Sequence, residues 1–138
     1  MAEWGFRDFL ERNELWQCTV TSAGVTAVDG ALPTGETVLV LGERDIDATR
    51  HRARVLDRDI VEAADLVLGM TRAHVDAVAD LVPAAIDKTF LLTEICPGTD
   101  PADIDDPFGC SVEYYRECLR TIESCFDGVV AKLQGETS

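Results

Sequence analysis

Ala2, Phe6, Phe9 and Leu10 recur at helical spacing, so the first ten residues read as a helix already under way. Its start is unusual, because no Ser, Thr, Asp or Asn precedes it as a cap and a free ammonium would sit where the helix dipole is already positive. The β-branched stretch from Cys18 to Ala23 stops at Gly24, which predicts a strand and then a loop through Gly30 and Pro33. Between Thr34 and Arg44 the run Val38-Leu39-Val40-Leu41 suits a strand or a helix; Thr34 as cap and glutamates at either end favour the helix. A short helix over Asp59–Ala64, a buried strand over Leu66–Met70, a helix over Ala73–Leu81 stopped by Pro83, and a second buried strand over Thr89–Leu92 follow. Val112, Tyr115, Leu119, Ile122 and Phe126, spaced by three and four, predict one long amphipathic helix over Ser111–Leu133.

Strands alternating with helices imply an α/β fold, a parallel sheet covered by helices. The count begins with a helix where such folds begin with a strand, so a first strand is expected to be missing. In open α/β sheets the ligand site lies beyond the carboxyl ends of the strands, commonly just after the first. One domain over residues 1–138 is the expected organisation, since a chain of this length buries a core without disulfides or metals.

Charge narrows the partners. Twenty-six acidic against twelve basic residues give a net charge of −14, which disfavours nucleic acid. The balance fits a salt-adapted source or an ordinary acidic bacterial protein equally well. No apolar run approaches the roughly 20 residues of a membrane span and the first residues lack a signal-peptide pattern, so a cytoplasmic protein without membrane contact is expected. Cys18, Cys96, Cys110, Cys118 and Cys125 are scattered with no Cys-x-x-Cys pair. They read as reduced core or helix thiols; neither a metal nor another cofactor is indicated.

Five segments, in this order, carry a family resemblance: Met1-Ala2-Glu3, Thr21-Ser22-Ala23-Gly24, His51-Arg52-Ala53-Arg54, Ala64-Asp65-Leu66-Val67-Leu68 and Asp103-Ile104-Asp105-Asp106-Pro107-Phe108-Gly109. With them the chain resembles the low-molecular-weight protein tyrosine phosphatases, whose fold is shared with thioredoxin-coupled arsenate reductases. The resemblance implies a doubly wound, phosphotyrosine phosphatase I-like fold with four parallel strands. Its catalytic loop, a Cys followed by five residues and Arg, precedes the Met-Ala-Glu seen here and is not found at the start of this sequence. That chemistry needs a thiolate cradled by backbone N–H groups at a helix N-terminus, and a guanidinium to grip the phosphoryl oxygens.

By the resemblance Asp106, directly before Pro107, is the general acid that protonates the leaving oxygen and later the base that activates water against a phosphocysteine. Asp105 is its neighbour, and the plain alternative for Asp106 is a turn-forming Asp. Phe108 is implied as part of the wall holding a phosphotyrosyl ring, or else is a core Phe. Val28 falls in the variable loop opposite. His51 is implied to brace the phosphate loop, the alternative being a solvated His beside Arg50 and Arg52.

Cys110 and Arg116 also have the Cys-x5-Arg spacing, but the segment has no glycine between them, places Glu113 inside the would-be anion cradle and has helical periodicity. Coincidence is the expected explanation. Cys118 and Cys125 stand two helical turns apart, roughly 10 Å, beyond disulfide reach. Gly69-Met70-Thr71-Arg72, where the reductases carry redox cysteines, disfavours arsenate reduction. Two readings remain. Either the natural protein is longer and is a cysteine-dependent phosphatase acting on phosphotyrosine proteins or small aryl phosphates, or the chain is a pseudophosphatase that binds a partner. In both, residues 1–138 are expected to be inactive alone. Without the first strand, residues 18–23 are expected to pair directly with 66–70, or else to leave exposed edges.

Overall fold

The computed structural model describes residues 1–15, 17–96 and 100–135. The chain divides into two compact units, Met1–Val55 with Asp106–Glu123, and Leu56–Asp105 with Ser124–Ser138.

In the first unit α1 (Ala2–Arg12) begins, as expected, without a side-chain cap, and buries Gly5, Phe6 and Leu10. Helix α2 (Gly35–Gly42) is a helix because Thr34 Oγ1 accepts the Thr37 N–H at 3.2 Å, satisfying a first-turn donor that a strand would have used otherwise. It lays Val40 and Leu41 against Tyr115 and Leu119 of α5 (Val112–Ser124), with Ile46 and Ala48 completing the core and Met1, Trp4 and Val112 at its margin. Arg44 bonds Glu123 and Arg116 bonds Glu43 at the surface of this pair, adding register more than energy.

In the second unit α3 (Arg58–Ala63), capped by Asp57, leads into β1 (Val67–Gly69), and α4 (Arg72–Leu81) leads through a 3₁₀ segment, Pro83–Lys88, into β2 (Thr89–Leu91). The strands pair in parallel, Val67 with Thr89 and Gly69 with Leu91, which requires the crossover that α4 provides. Val61, Val78, Val82 and Ala85 form the core beneath them. Parallel strands joined through helices make this the α/β fold read from the sequence.

Two expectations are corrected. Residues 18–23 form no strand: among the described residues no backbone–backbone hydrogen bond involves them, and β1 pairs only with β2, so direct pairing of 18–23 with 66–70 does not occur. β-branched composition favours a strand only where a neighbour offers a ladder, and none of the described segments does so here. The nearest parallel feature is a single bridge between Gly24 and Val55. The expected helix over Ser111–Leu133 is broken at Cys125 into α5 and α6 (Phe126–Leu133). The Cys96 thiol donates to the Ser124 carbonyl at 3.4 Å, an intruding donor of the kind that interrupts the i→i−4 ladder, and Gly128 in the next turn weakens the helix further. Among the described residues no helix is long and apolar enough to cross a membrane.

Candidate active site

Glu3, in the first turn of α1, is the hub of the first unit's polar centre. Its side chain accepts from Arg7 Nη2 and from Ser22 Oγ, both at 2.6 Å, and lies 3.9 Å from His51 Nδ1. The i,i+4 spacing places Arg7 beside Glu3, from where Arg7 also donates to the Val20 carbonyl at 2.9 Å and covers the Trp4 ring at 4.7 Å. The otherwise ladderless segment 18–23 is therefore tied to α1 through side chains. Trp4 meets the His51 ring edge-on, and its buried Nε1–H has no acceptor among the described residues.

Burial pushes the His51 imidazole below its ordinary value, opposed by Glu3 and reinforced by the Met1 ammonium, Arg7 and Arg52. Burial also lowers the Met1 ammonium, with Glu3 and Asp106 acting in the opposite direction. The Asp106 loop has a defined shape. Asp106 Oδ1 accepts the Phe108 N–H at 3.0 Å, and the Cys110 N–H closes a turn onto the Pro107 carbonyl at 2.8 Å, with Gly109 at φ +82° where a side chain would be strained. Phe108, at the tip, is 74% exposed, so it is not a core residue.

The four residues singled out in the sequence thus fall differently. Asp106 and Phe108 share one turn, and His51 lies at the start of α1 beside Glu3. Val28 is 72% exposed in the loop that residues 53–55 fasten, and no hydrogen bond, ion pair or ring contact joins it to the Asp106 turn among the described residues. His51 faces Glu3 and Trp4 and is not the freely solvated alternative. Sequence reasoning missed the hub. Glu3 and Arg7 carry a legible i,i+4 signal, whereas nothing in the spacing announces Ser22.

The arrangement has two chemical resources. An uncapped helix N-terminus presents N–H groups that suit an anion. The other is the Asp106 carboxyl group on its hydrogen-bonded turn, suited to giving and taking a proton. The Cys110–Arg116 pair offers neither. Arg116 lies in α5 with its guanidinium held by Glu43 at 2.7 Å and by Glu113. A cavity of about 280 Å³ bounded by Leu10, Leu15, Cys18 and Val20 includes none of the four residues. No group of three or more His, Cys, Asp or Glu able to hold a metal occurs among the described residues.

The family model described as low molecular weight phosphotyrosine protein phosphatase matches residues 1–138. The chain belongs to this family. Among phosphatases of the family, a protein-arginine-phosphatase of Geobacillus stearothermophilus is 39% identical over 127 residues, 92% of this chain and 84% of the relative. A protein-arginine-phosphatase of Bacillus subtilis is 34% identical over 134 residues, 97% of this chain and 87% of the relative. The crystal structure of a low molecular weight protein tyrosine phosphatase from T. tengcongensis superposes with a TM-score of 0.86 at 31% identity, covering 95% of this chain and 88% of that one. The low molecular weight phosphatase fold is thereby established for this chain, and with it a family of enzymes that act on tyrosine or arginine phosphate.

Proposed function

We propose that this chain carries the acid–base half of a cytoplasmic protein phosphatase whose preferred substrate is protein-bound phosphoarginine. What supports this reading is the match of the phosphatase family model to residues 1–138 together with the Asp106 turn, at the position where the family resemblance puts the general acid. In the family's route Asp106 donates a proton to the departing atom as the phosphorus transfers to the nucleophilic thiolate. It then takes a proton from the water that releases phosphate.

Phosphoarginine is favoured over phosphotyrosine by two considerations. The relatives at 39% and 34% identity carry the name protein-arginine-phosphatase. A departing guanidine gains a proton and becomes a cation, and the consecutive carboxylates Asp105 and Asp106 supply the anionic surroundings that such a leaving group needs. Phe108 supports phosphotyrosine as a second reading, since an exposed ring stacks on an aryl phosphate; it stacks equally well on a guanidinium plane.

The family's nucleophile loop is not among residues 1–138, and the single Cys-x5-Arg in them is engaged elsewhere. Residues 1–138 alone are accordingly inactive on this reading, as a partner-binding pseudophosphatase would also be. The test is a form carrying a Cys-x5-Arg loop ahead of Met1, assayed beside residues 1–138 on phosphoarginine and phosphotyrosine peptides. Hydrolysis only by the loop-bearing form, faster on phosphoarginine and reduced about 10²-fold or more by Asp106→Asn, is expected. Hydrolysis by residues 1–138 that disappears in Cys110→Ser overturns the assignment, and a loop-bearing form inactive on both substrates leaves the pseudophosphatase.

A further inference from the structure

The three arginines Arg50, Arg52 and Arg54 stand together in a protein of net charge −14 with only twelve basic residues other than histidine. Four of the seven other arginines are paired with carboxylates, Arg7 with Glu3, Arg12 with Asp8, Arg44 with Glu123 and Arg116 with Glu43, whereas Arg58, Arg72 and Arg120, each alone in its stretch, are in no ion pair among the described residues. In the 50–54 stretch Arg50 lies near Asp47, and the Asp29 carboxylate is occupied by the backbone N–H of Val55, next to Arg54. Arg52 donates to the carbonyls of Thr49 and His51 at 3.0 and 2.8 Å, which fixes the guanidinium without cancelling its charge. Among the described residues no ion pair involves Arg52 or Arg54.

The backbone beneath them is anchored on both sides. Ala53 N–H donates to Ala31 O at 2.9 Å and Gly30 N–H to Ala53 O at 2.8 Å; Arg54 O accepts from Gly24 N–H at 2.8 Å, and Val55 N–H donates to Asp29 Oδ1 at 2.7 Å. Exposure alternates along the stretch: His51 and Ala53 turn inward, Arg52 and Arg54 outward. His51 turns toward Glu3 at the end of α1 and the loop pinned alongside carries Val28, while Arg52 and Arg54 occupy the exposed side of the same stretch.

We propose that Arg52 and Arg54 form a docking strip for an acidic peptide segment of the protein substrate. This rests on the reading above only in taking that segment to flank the phosphorylated residue. Each guanidinium offers a planar fork that accepts a carboxylate in bidentate fashion. Residues two apart on a strand-like stretch lie about 6.6–6.8 Å apart, the same repeat at which an extended peptide presents alternate side chains. Carboxylates at alternate positions therefore meet both arginines at once. The net charge of the whole protein opposes any long polyanion, but at about 0.15 M salt charges beyond about 8 Å are screened and the local strip governs a short peptide.

The strip is tested with residues 1–138 and fluorescein-labelled, unphosphorylated peptides at about 0.15 M salt. One peptide carries glutamates at alternate positions; a second carries glutamines there. Fluorescence anisotropy is expected to show the glutamate peptide binding at least tenfold tighter. Replacing both arginines (R52Q with R54Q) removes that preference, whereas R12Q, at an exposed arginine on α1, leaves it within about twofold; circular dichroism checks that all variants are folded. Equal binding of the two peptides, or a preference that survives in the double variant, overturns the proposal. So does equally tight binding of a short single-stranded DNA of matched charge, which marks a general anion surface. Peptide preference with a loop-bearing form that hydrolyses nothing upholds the strip and rejects the phosphatase reading; hydrolysis without peptide preference does the reverse.

Discussion

Removing the Glu3 carboxylate tests the hub on which the candidate site is built. In the folded chain this side chain is 11% exposed and receives two hydrogen bonds at 2.6 Å, from Arg7 and Ser22. Hydrogen bonds to charged groups contribute roughly 1.5–3 kcal/mol each when well buried. The Arg7 side chain is 41% exposed and rehydrates easily, which reduces its share to about 0.5–1 kcal/mol. The Ser22 bond adds about 1 kcal/mol, and a carboxylate in the first turn of a helix adds about 0.5 kcal/mol through the dipole. Glu3→Ala should therefore cost about 2 kcal/mol. Glu3→Gln, which still accepts from Ser22 but carries no charge, should cost about 1 kcal/mol. For a domain of this size each kcal/mol lowers Tm by about 4 °C, so the expected falls are about 8 and 4 °C, read by circular dichroism at neutral pH and moderate salt. A double-mutant cycle with Arg7→Ala isolates the ion-pair share. Midpoints unchanged within about 1 °C for both Glu3 variants, or a vanishing coupling to Arg7, would refute the view that this network holds α1 to residues 18–23.

Two further outcomes are expected. Burial lowers His51 in the folded chain, so the unfolded chain takes up its proton first as pH falls. The resulting stability is present above about pH 6.5 and is lost as pH drops through the lower folded value; urea midpoints at neutral and mildly acidic pH should diverge less in His51→Gln than in the parent. Thiol reactivity should separate the cysteines: exposed Cys110 reacts quickly with an aromatic disulfide reagent, half-buried Cys18 more slowly, and buried Cys96, Cys118 and Cys125 only on unfolding. Burial and a hydrogen bond with Cys96 push the Cys125 thiol up to about 12, so it offers almost no thiolate near neutrality. Rapid reaction of Cys125 in the native state would contradict its placement.

Elements whose signals are local were legible in the sequence. Thr34 and Asp57 cap the helices that follow them, and Pro83 falls just after α4. The apolar runs around Leu68 and Phe90 became the two paired strands. Features decided by distant partners were not legible. The composition of residues 18–23 says strand, yet a strand needs a neighbour, and no described residue supplies one. The periodicity through Cys125 says helix, yet Cys96, far away in sequence, donates into the ladder at Ser124. At the site the same division holds. Asp106 and Phe108 are marked by their own turn sequence, while the role of Glu3 depends on Ser22 and His51 meeting it across long stretches of chain.

The core of the first unit packs Val40 and Leu41 against Tyr115 and Leu119. During synthesis the first pair leaves the ribosome long before the second exists; at 5–20 residues per second the wait is roughly 4–16 s. Throughout that interval Val40 and Leu41 have only Ile46, Ala48, Met1 and Trp4 from this core as company, and a chain stopped anywhere before α5 never acquires the cover that Tyr115 and Leu119 give. Vectorial synthesis therefore leaves the core of this unit incomplete until α5 emerges.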